Sequence, residues 1–256
     1  MVDPAFASED DAAAVASVWG PARIEPPSVH PSSSRPRWLG PLEAAELLAM
    51  AGIGPVEQAL ASNVEEAIAA ARSLGYPVAL KASGLSRLSK TEAGGVSLDV
   101  HGDDEVRDAY ARMCDLLGEA MNPAVVQVMV PEGVECRVGV FRHAVLGDVM
   151  TLGPGGAVAE RVSGEAMRIL PLTDADADRL IDASVVGPLL DEQGPPARAA
   201  VADLLIRLAS LADAVPEIAA VRLNPVLVAG ATASITDVAL ALAPFTPDTR
   251  PPVRRL

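Results

Sequence analysis

"GYPVALKAS", residues 75–83, is followed after four residues by "LSKTEAGGVSLDV", residues 88–100. "PVALK" is a short apolar run that ends in Lys81, and "GGVSLDV" alternates apolar with polar residues. The first predicts a buried strand and the second a half-buried one. A lysine that closes a buried strand either snorkels to solvent or carries its charge into a cleft beyond the strand end. Lys90 and the Gly94-Gly95 pair add weight to the cleft, because bare backbone N–H groups can approach an anion closely. Gly-Gly by itself also fits an ordinary turn.

The surrounding chain sharpens the contrast. It has 256 residues and net charge −14, with 50% hydrophobic but 3% aromatic residues. A core short of rings must be built from Ala, Val and Leu, and its helices must pack closely. The acidic balance argues against nucleic acid, which needs clustered cations on one face. It leaves room for a small anion held by a few lysines. No apolar run reaches the roughly 18 residues of a membrane span. The start, "MVDPAFASEDD", is acidic and unlike a secretory signal. Cys114 and Cys136 show neither metal spacing nor a CxxC pattern, which predicts two reduced thiols and a cytoplasmic protein.

Four parts are expected along the chain. Residues 1–20 hold one helix, with Ser8 as N-cap and Gly20 as stop, too little for a domain. Residues 21–37 contain five prolines and four serines and read as an extended linker. Residues 38–245 are the compact part, and 246–256 a tail. Within the compact part, "PLEAAELLAMAG" predicts a helix with Pro41 in its first turn. "SNVEEAIAAARSLG" predicts one with a Ser62/Glu65 capping box. "DDEVRDAYARMCDLLGEAM" puts Val106, Tyr110, Met113 and Leu117 on one face. "AVVQVMV" is a buried strand, and "VECRVGVFRHAVLGDVMTLG" is two strands and a hairpin. "TDADADRLIDASVVGPLL" and "PPARAAVADLLIRLASLADA" are helices. "AAVRLNPVLVAGATASITDVALAL" is two strands around Gly230. Mixed hairpins and crossovers predict α+β subdomains rather than one doubly wound sheet.

Two further segments carry chemistry. Gly153, Gly155 and Gly156 precede Glu160 and Arg168, as in a hairpin turn or an anion loop. Arg222 and Asn224 of "VRLNPVLV" share a strand face. A hairpin over 226–235 would return Asp237 beside Asn224. An amide oxygen beside a carboxylate suits a hard cation that takes phosphate oxygens as its other ligands. A turn Asn before Pro225 and a capping Asp would account for the same residues.

In order, "GYPVALK", "LSKTEAGGVSLDV", "VVQVMVPEGVECRVGV", "LGPGGAVAE" and "VRLNPVLV…SITD" resemble the ATP-grasp domain of the ADP-forming acyl-CoA synthetases, relatives of succinyl-CoA ligase β subunits. The resemblance covers about residues 38–245. Residues 4–20 resemble the segment that precedes this domain in single-chain members. It implies an ATP-grasp fold, two α+β lobes with the nucleotide site between them. It implies that Lys81 holds phosphates of ATP or ADP, with Lys90, Gly94 and Gly95 nearby. Gln127, Met129 and Val130 would form the hinge strand against adenine, with Glu135 just beyond, near ribose and phosphates. Glu160, Asn224 and Asp237 would organise Mg2+. The family reaction, carboxylate + CoA + ATP to acyl-CoA + ADP + phosphate, needs a CoA-binding CoA-ligase domain or subunit whose histidine carries the phosphoryl group.

Three positions depart from the family. Its His-Lys-Ser/Thr-Asp before Gly-Gly-Val reads Ser89-Lys90-Thr91-Glu92 here, and a serine hydroxyl does not relay phosphate as imidazole does. Gly164 and Glu165 stand where an Asp is usual. Arg222 stands where an acid is usual. At about 7 Å from Asn224, its charge would oppose Mg2+ by roughly 4–5 kcal/mol before screening, at an effective dielectric near 20. Either Arg222 contacts phosphate in place of part of the metal's work, or the site holds no metal. Two functions follow: the nucleotide-binding component of an acyl-CoA synthetase, inactive alone, or a catalytically degenerate ATP-grasp module with a regulatory or structural role.

Overall fold

The computed structural model describes residues 36–83, 94–156 and 164–245. The helix expected at 1–20, nearly all of the linker, the tail, and Ser89, Lys90 and Glu160 lie outside them.

Two antiparallel sheets each collect their own helices. The smaller is four-stranded, in the order β2 (Gln58–Ala61), β5 (Ala124–Val128), β3 (Val78–Ala82), β4 (Val96–Val100). Helices α2 (Val64–Leu74) and α3 (Asp103–Leu117) cover one face of it. Their buried stripes, Ala67, Ile68 and Ala71 on α2 and Val106, Ala109 and Met113 on α3, meet Val78, Leu80 and Val126 of the sheet. Tyr110 and Leu117 pack at the edge of this core, half-buried. The Ser62/Glu65 box is corrected by one residue. Asn63 is the N-cap and accepts from Glu66 N at 2.9 Å, while the Glu66 carboxylate accepts from Ser62 N at 2.8 Å. Asn caps as well as Ser, and the same spacing recurs one position on.

The larger sheet has seven strands. Its order is β1 (Arg37–Trp38), β11 (Val238–Leu242), β9 (Ile218–Ala229), β6 (Val134–His143), β7 (Gly147–Pro154), β8 (Ala166–Ile169), with β10 (Thr232–Ile235) also paired to β9. Arg37, expected in the linker, already pairs with Leu242. One face is covered by α1 (Pro41–Ala49), α4 (Asp174–Ala183), α5 (Gly187–Gln193) and α6 (Pro195–Ala214). The 20-residue α6 buries Ala197, Val201, Leu204, Leu205, Leu208, Leu211 and Ala212 against it, a stripe at helical spacing. The helix-side cluster holds Ala, Val, Leu, Ile, Met and Cys136 and, among the described residues, no aromatic ring; Phe141 of β6 is buried outside it. The single helix expected over "TDADADRLIDASVVGPLL" is two. α4 ends at Ala183, Ser184 is extended, and α5 restarts at Gly187. Pro188 has no N–H and sits comfortably only in a first turn, so a helix must begin there.

The last strands number three rather than two. β10 and β11 lie end to end along β9, interrupted at Thr236 and Asp237 opposite Pro225 and Asn224. β9 also bulges against β6. Leu223 faces Val138 and Val226 faces Cys136, so three steps on β9 meet two on β6. Both irregularities fall at the Asn-Pro dipeptide, because proline cannot donate to a ladder.

Candidate functional site

Side chains alternate across a strand, so the large sheet has two unlike faces. Val138, Val140, Met150, Leu152, Val221, Leu223 and Leu240 point to the helices. The opposite, inner face carries Glu135, Arg137 and Gly139 of β6, Thr151 of β7 and Arg222 of β9. Arg222 faces Gly139, which faces Thr151. Arg222 is 5% exposed and Thr151 fully buried.

Lys81 does not snorkel to water. Its Nζ donates to Gln127 Oε1 at 2.6 Å and to the backbone oxygen of Thr236 at 2.8 Å. It therefore reaches from the small sheet to the large one. Buried Gln127 donates through Nε2 to the same Thr236 oxygen and to Gln58 Oε1, both at 3.1 Å. The availability of that oxygen has a local cause. Thr236 N donates to Pro225 O at 3.1 Å, and the return bond of the ladder pair is missing because Pro225 has no N–H. A buried carbonyl needs a donor, and Lys81 and Gln127 supply it.

Asp237 follows directly, and Asn224 N donates to its backbone oxygen at 3.1 Å, so the two residues are opposite one another as the hairpin argument expects. Asn224 Oδ1 accepts from Gly156 N at 2.9 Å. Gly156 has φ +59, and a Cβ there would collide with the Glu135 carboxylate. Glu135, Gly156 and Asn224 thus form one cluster. Gly155 N donates to Glu135 O at 2.9 Å, and a side chain there would strike the backbone of Cys136. These glycines serve close backbone packing. Gly94 has φ +70, where a Cβ would meet only the tip of the exposed Leu116 side chain, and Gly95 O accepts from Ala82 N at 2.9 Å. At the end of β5, Val128 N donates to Glu57 O at 3.0 Å and Met129 N to Pro77 O at 3.4 Å, and Val130 follows beyond the strand end.

For a metal, the described donors are Asn224 Oδ1, already accepting one bond, and Asp237, whose Oδ1 accepts from Val238 N at 3.0 Å. Among the described residues no three His, Cys, Asp or Glu side chains gather to hold an ion. Arg222 and Arg137 occupy the same sheet face, which opposes a cation there. Sequence reading passed over Arg137 and its buried ion pair with Glu165 at 3.3 Å. The available signal was a charged residue inside "VECRVGV", an otherwise apolar run. It also passed over Gln58 and the Thr236 oxygen. A cavity of about 240 Å3 lies elsewhere, on the helix-covered side, lined by Asp148, Leu170, Leu172, Ser210 and Asp213. Its two carboxylates suit no phosphate.

Residues 32–242 match the ATP-grasp domain family. The β subunit of ADP-forming acetate–CoA ligase I from Pyrococcus furiosus is 30% identical over 213 residues, 78% of this chain and 90% of that one. ADP-forming acetate–CoA ligase II from Archaeoglobus fulgidus is 31% identical over 204 residues, 78% of this chain but 30% of that one. The dinucleotide-forming acetyl-coenzyme A synthetase 1 of Ca. Korarchaeum cryptofilum, solved with coenzyme A, Ca-AMPCP and HgCl+, superimposes with a TM-score of 0.74 at 28% identity, over 81% of this chain and 94% of that one. A second structure of that protein, with coenzyme A and Mg-AMPPCP, gives 0.65 at 29% identity, over 79% and 91%. The chain belongs to the ATP-grasp family, and its relatives are the ATP-grasp components of ADP-forming acyl-CoA synthetases. The expected α+β, two-lobed architecture is the one found.

Proposed function

We propose that the chain binds ATP or ADP between its two lobes and supplies the nucleotide side of an ADP-forming acyl-CoA synthetase, together with a CoA-ligase domain or subunit. The observation that carries this is Lys81. Its ammonium is drawn across from the small sheet to the strand junction that also holds Asn224 and Asp237. An anion there would meet a fixed cation. Glu135 lies beside Gly156, where a ribose or phosphate group would pass, and Met129 and Val130 lie at the hinge for adenine. Lys90, Gly94, Gly95 and Gln127 would complete the nucleotide contacts. Mg2+ is the family's usual companion to the nucleotide and would take Glu160, Asn224 and Asp237 as ligands, but Arg222 and Arg137 on the same sheet face oppose a cation here.

Arg222 on the inner face favours a second reading, a module that binds nucleotide without sustaining the phosphoryl relay. Its burial at that position is the observation that supports it. Two free cysteines fit a reducing compartment, and we place the protein in the cytoplasm. The test is calorimetric titration of ADP and of a non-hydrolysable ATP analogue into the chain, followed by an acyl-CoA assay with and without a CoA-ligase partner. Nucleotide binding with turnover only in the partner's presence supports the first reading. Binding without turnover in either case supports the second, and absence of binding sinks both.

A further inference from the structure

The inner face of the large sheet holds buried polar atoms that make no hydrogen bond. Arg137 is 9% exposed, Thr151 is fully buried, and the Glu165 side chain is 6% exposed. Arg137 Nε lies 3.3 Å from Glu165 Oε1, yet neither atom makes a hydrogen bond, and neither does Thr151 Oγ1. Native interiors rarely leave such groups unsatisfied, and a site for a polar ligand is one of the few reasons to do so. Strand register gathers them. Arg137 faces Gly153, and Glu165 packs against Gly153, where a Cβ would lie 3.1 Å from its Cα. Thr151 is two residues from Gly153 on the same face, and Arg222 lies across Gly139 from it.

We propose that Arg137, Thr151 and Arg222 form a subsite for the phosphate oxygens of a nucleotide, one that dispenses with a divalent cation. The inference rests on the nucleotide reading above. A guanidinium presents a planar fork of donors matched to two oxygens of a phosphate. A threonine hydroxyl rotates to donate to a third. Two arginines on one face do for a polyphosphate what Mg2+ does elsewhere, and they repel the metal that would compete. Glu165 keeps the Arg137 guanidinium on this face through its Nε edge. Because Glu135 and Glu165 share the face, the subsite selects by guanidinium geometry more than by net charge.

The experiment is calorimetric titration of AMPPNP, and separately of tripolyphosphate, into the full chain with Mg2+ or with EDTA. The variants are Arg137→Gln, Thr151→Val and the double change Arg137→Leu/Glu165→Val. The double variant removes the buried pair as a unit and keeps the test valid if Arg137→Gln fails to fold. Wild-type AMPPNP affinity should be nearly the same with and without Mg2+. In EDTA both Arg137 variants should weaken it roughly 10- to 100-fold, and Thr151→Val roughly 2- to 10-fold. AMPPNP binding that requires Mg2+ and ignores Arg137 would overturn the subsite and leave the nucleotide reading standing. Arg137-dependent tripolyphosphate binding with no binding of AMPPNP would keep the subsite and overturn the nucleotide reading. Binding of neither ligand would overturn both.

Discussion

The two faces of the seven-stranded sheet come from the same strands and obey different rules. On the helix side, Val138, Val140, Met150, Leu152 and Leu223 are buried among aliphatic groups and ask only for volume and shape. On the inner side, one residue along each strand, Arg137, Thr151 and Arg222 are just as hidden but carry charge or hydrogen-bonding capacity. Burial alone therefore does not distinguish core from site here. The difference teaches that an alternating strand can be apolar for stability and polar for binding at the same depth, with the polar face retaining unsatisfied atoms.

Leu152→Ala on the core face should cost about 2–5 kcal/mol of unfolding free energy, read by urea denaturation. Arg137→Leu/Glu165→Val on the opposite face should cost little or nothing, since apolar replacement of a buried ion pair is often neutral or stabilising. Equal losses would show that the inner face is also a structural core. Lys81→Ala should weaken nucleotide binding by about 1.5–3 kcal/mol, the value of a charge-assisted contact, measured calorimetrically. Unchanged affinity would put the phosphates elsewhere. Arg222→Asp should make AMPPNP binding more dependent on Mg2+ than in wild type. Strong metal dependence in wild type, unaltered by the substitution, would return the inner face to an ordinary metal site.

The smallest expected effect lies in the small lobe, away from both faces. Burial and a 2.8 Å bond to Asp103 push the Tyr76 hydroxyl up to about 12. A raised folded-state value means that the folded form holds the proton longer. The contribution is complete below the unfolded value near 10 and is lost as pH rises from there through about 12. Melting temperatures across that range should fall less steeply in Tyr76→Phe than in wild type.

Much of this was legible in sequence. "PVALK" read as a strand ending in a lysine that either snorkels or enters a cleft, and "LNP…SITD" as a hairpin that returns Asp237 beside Asn224, because hydrophobic period and hairpin geometry are local properties. What escaped was decided by partners. "QALA" at 58–61 has little strand propensity and is a strand because it pairs with β5. "AMRI" at 166–169 is a strand because β7 has an open edge beside it. The acceptor of Lys81 is a backbone oxygen, which leaves no mark on residue identity, although the missing N–H of Pro225 pointed to it. Arg137 and Glu165 are far apart in sequence, and only register brings them together.

The junction near Thr236 also has a mechanical side. Val56 N donates to Ile235 O at 2.9 Å, Pro55 bridges to Ile235, and Lys81 and Gln127 both hold Thr236 O. Four residues from the small-sheet side thus grip two consecutive residues of the large one. A joint so short behaves as a pin: it resists separation of the lobes and leaves rotation about itself comparatively free. The same bonds that hold the lysine in place would let the cleft widen at its far mouth while the pin stays closed.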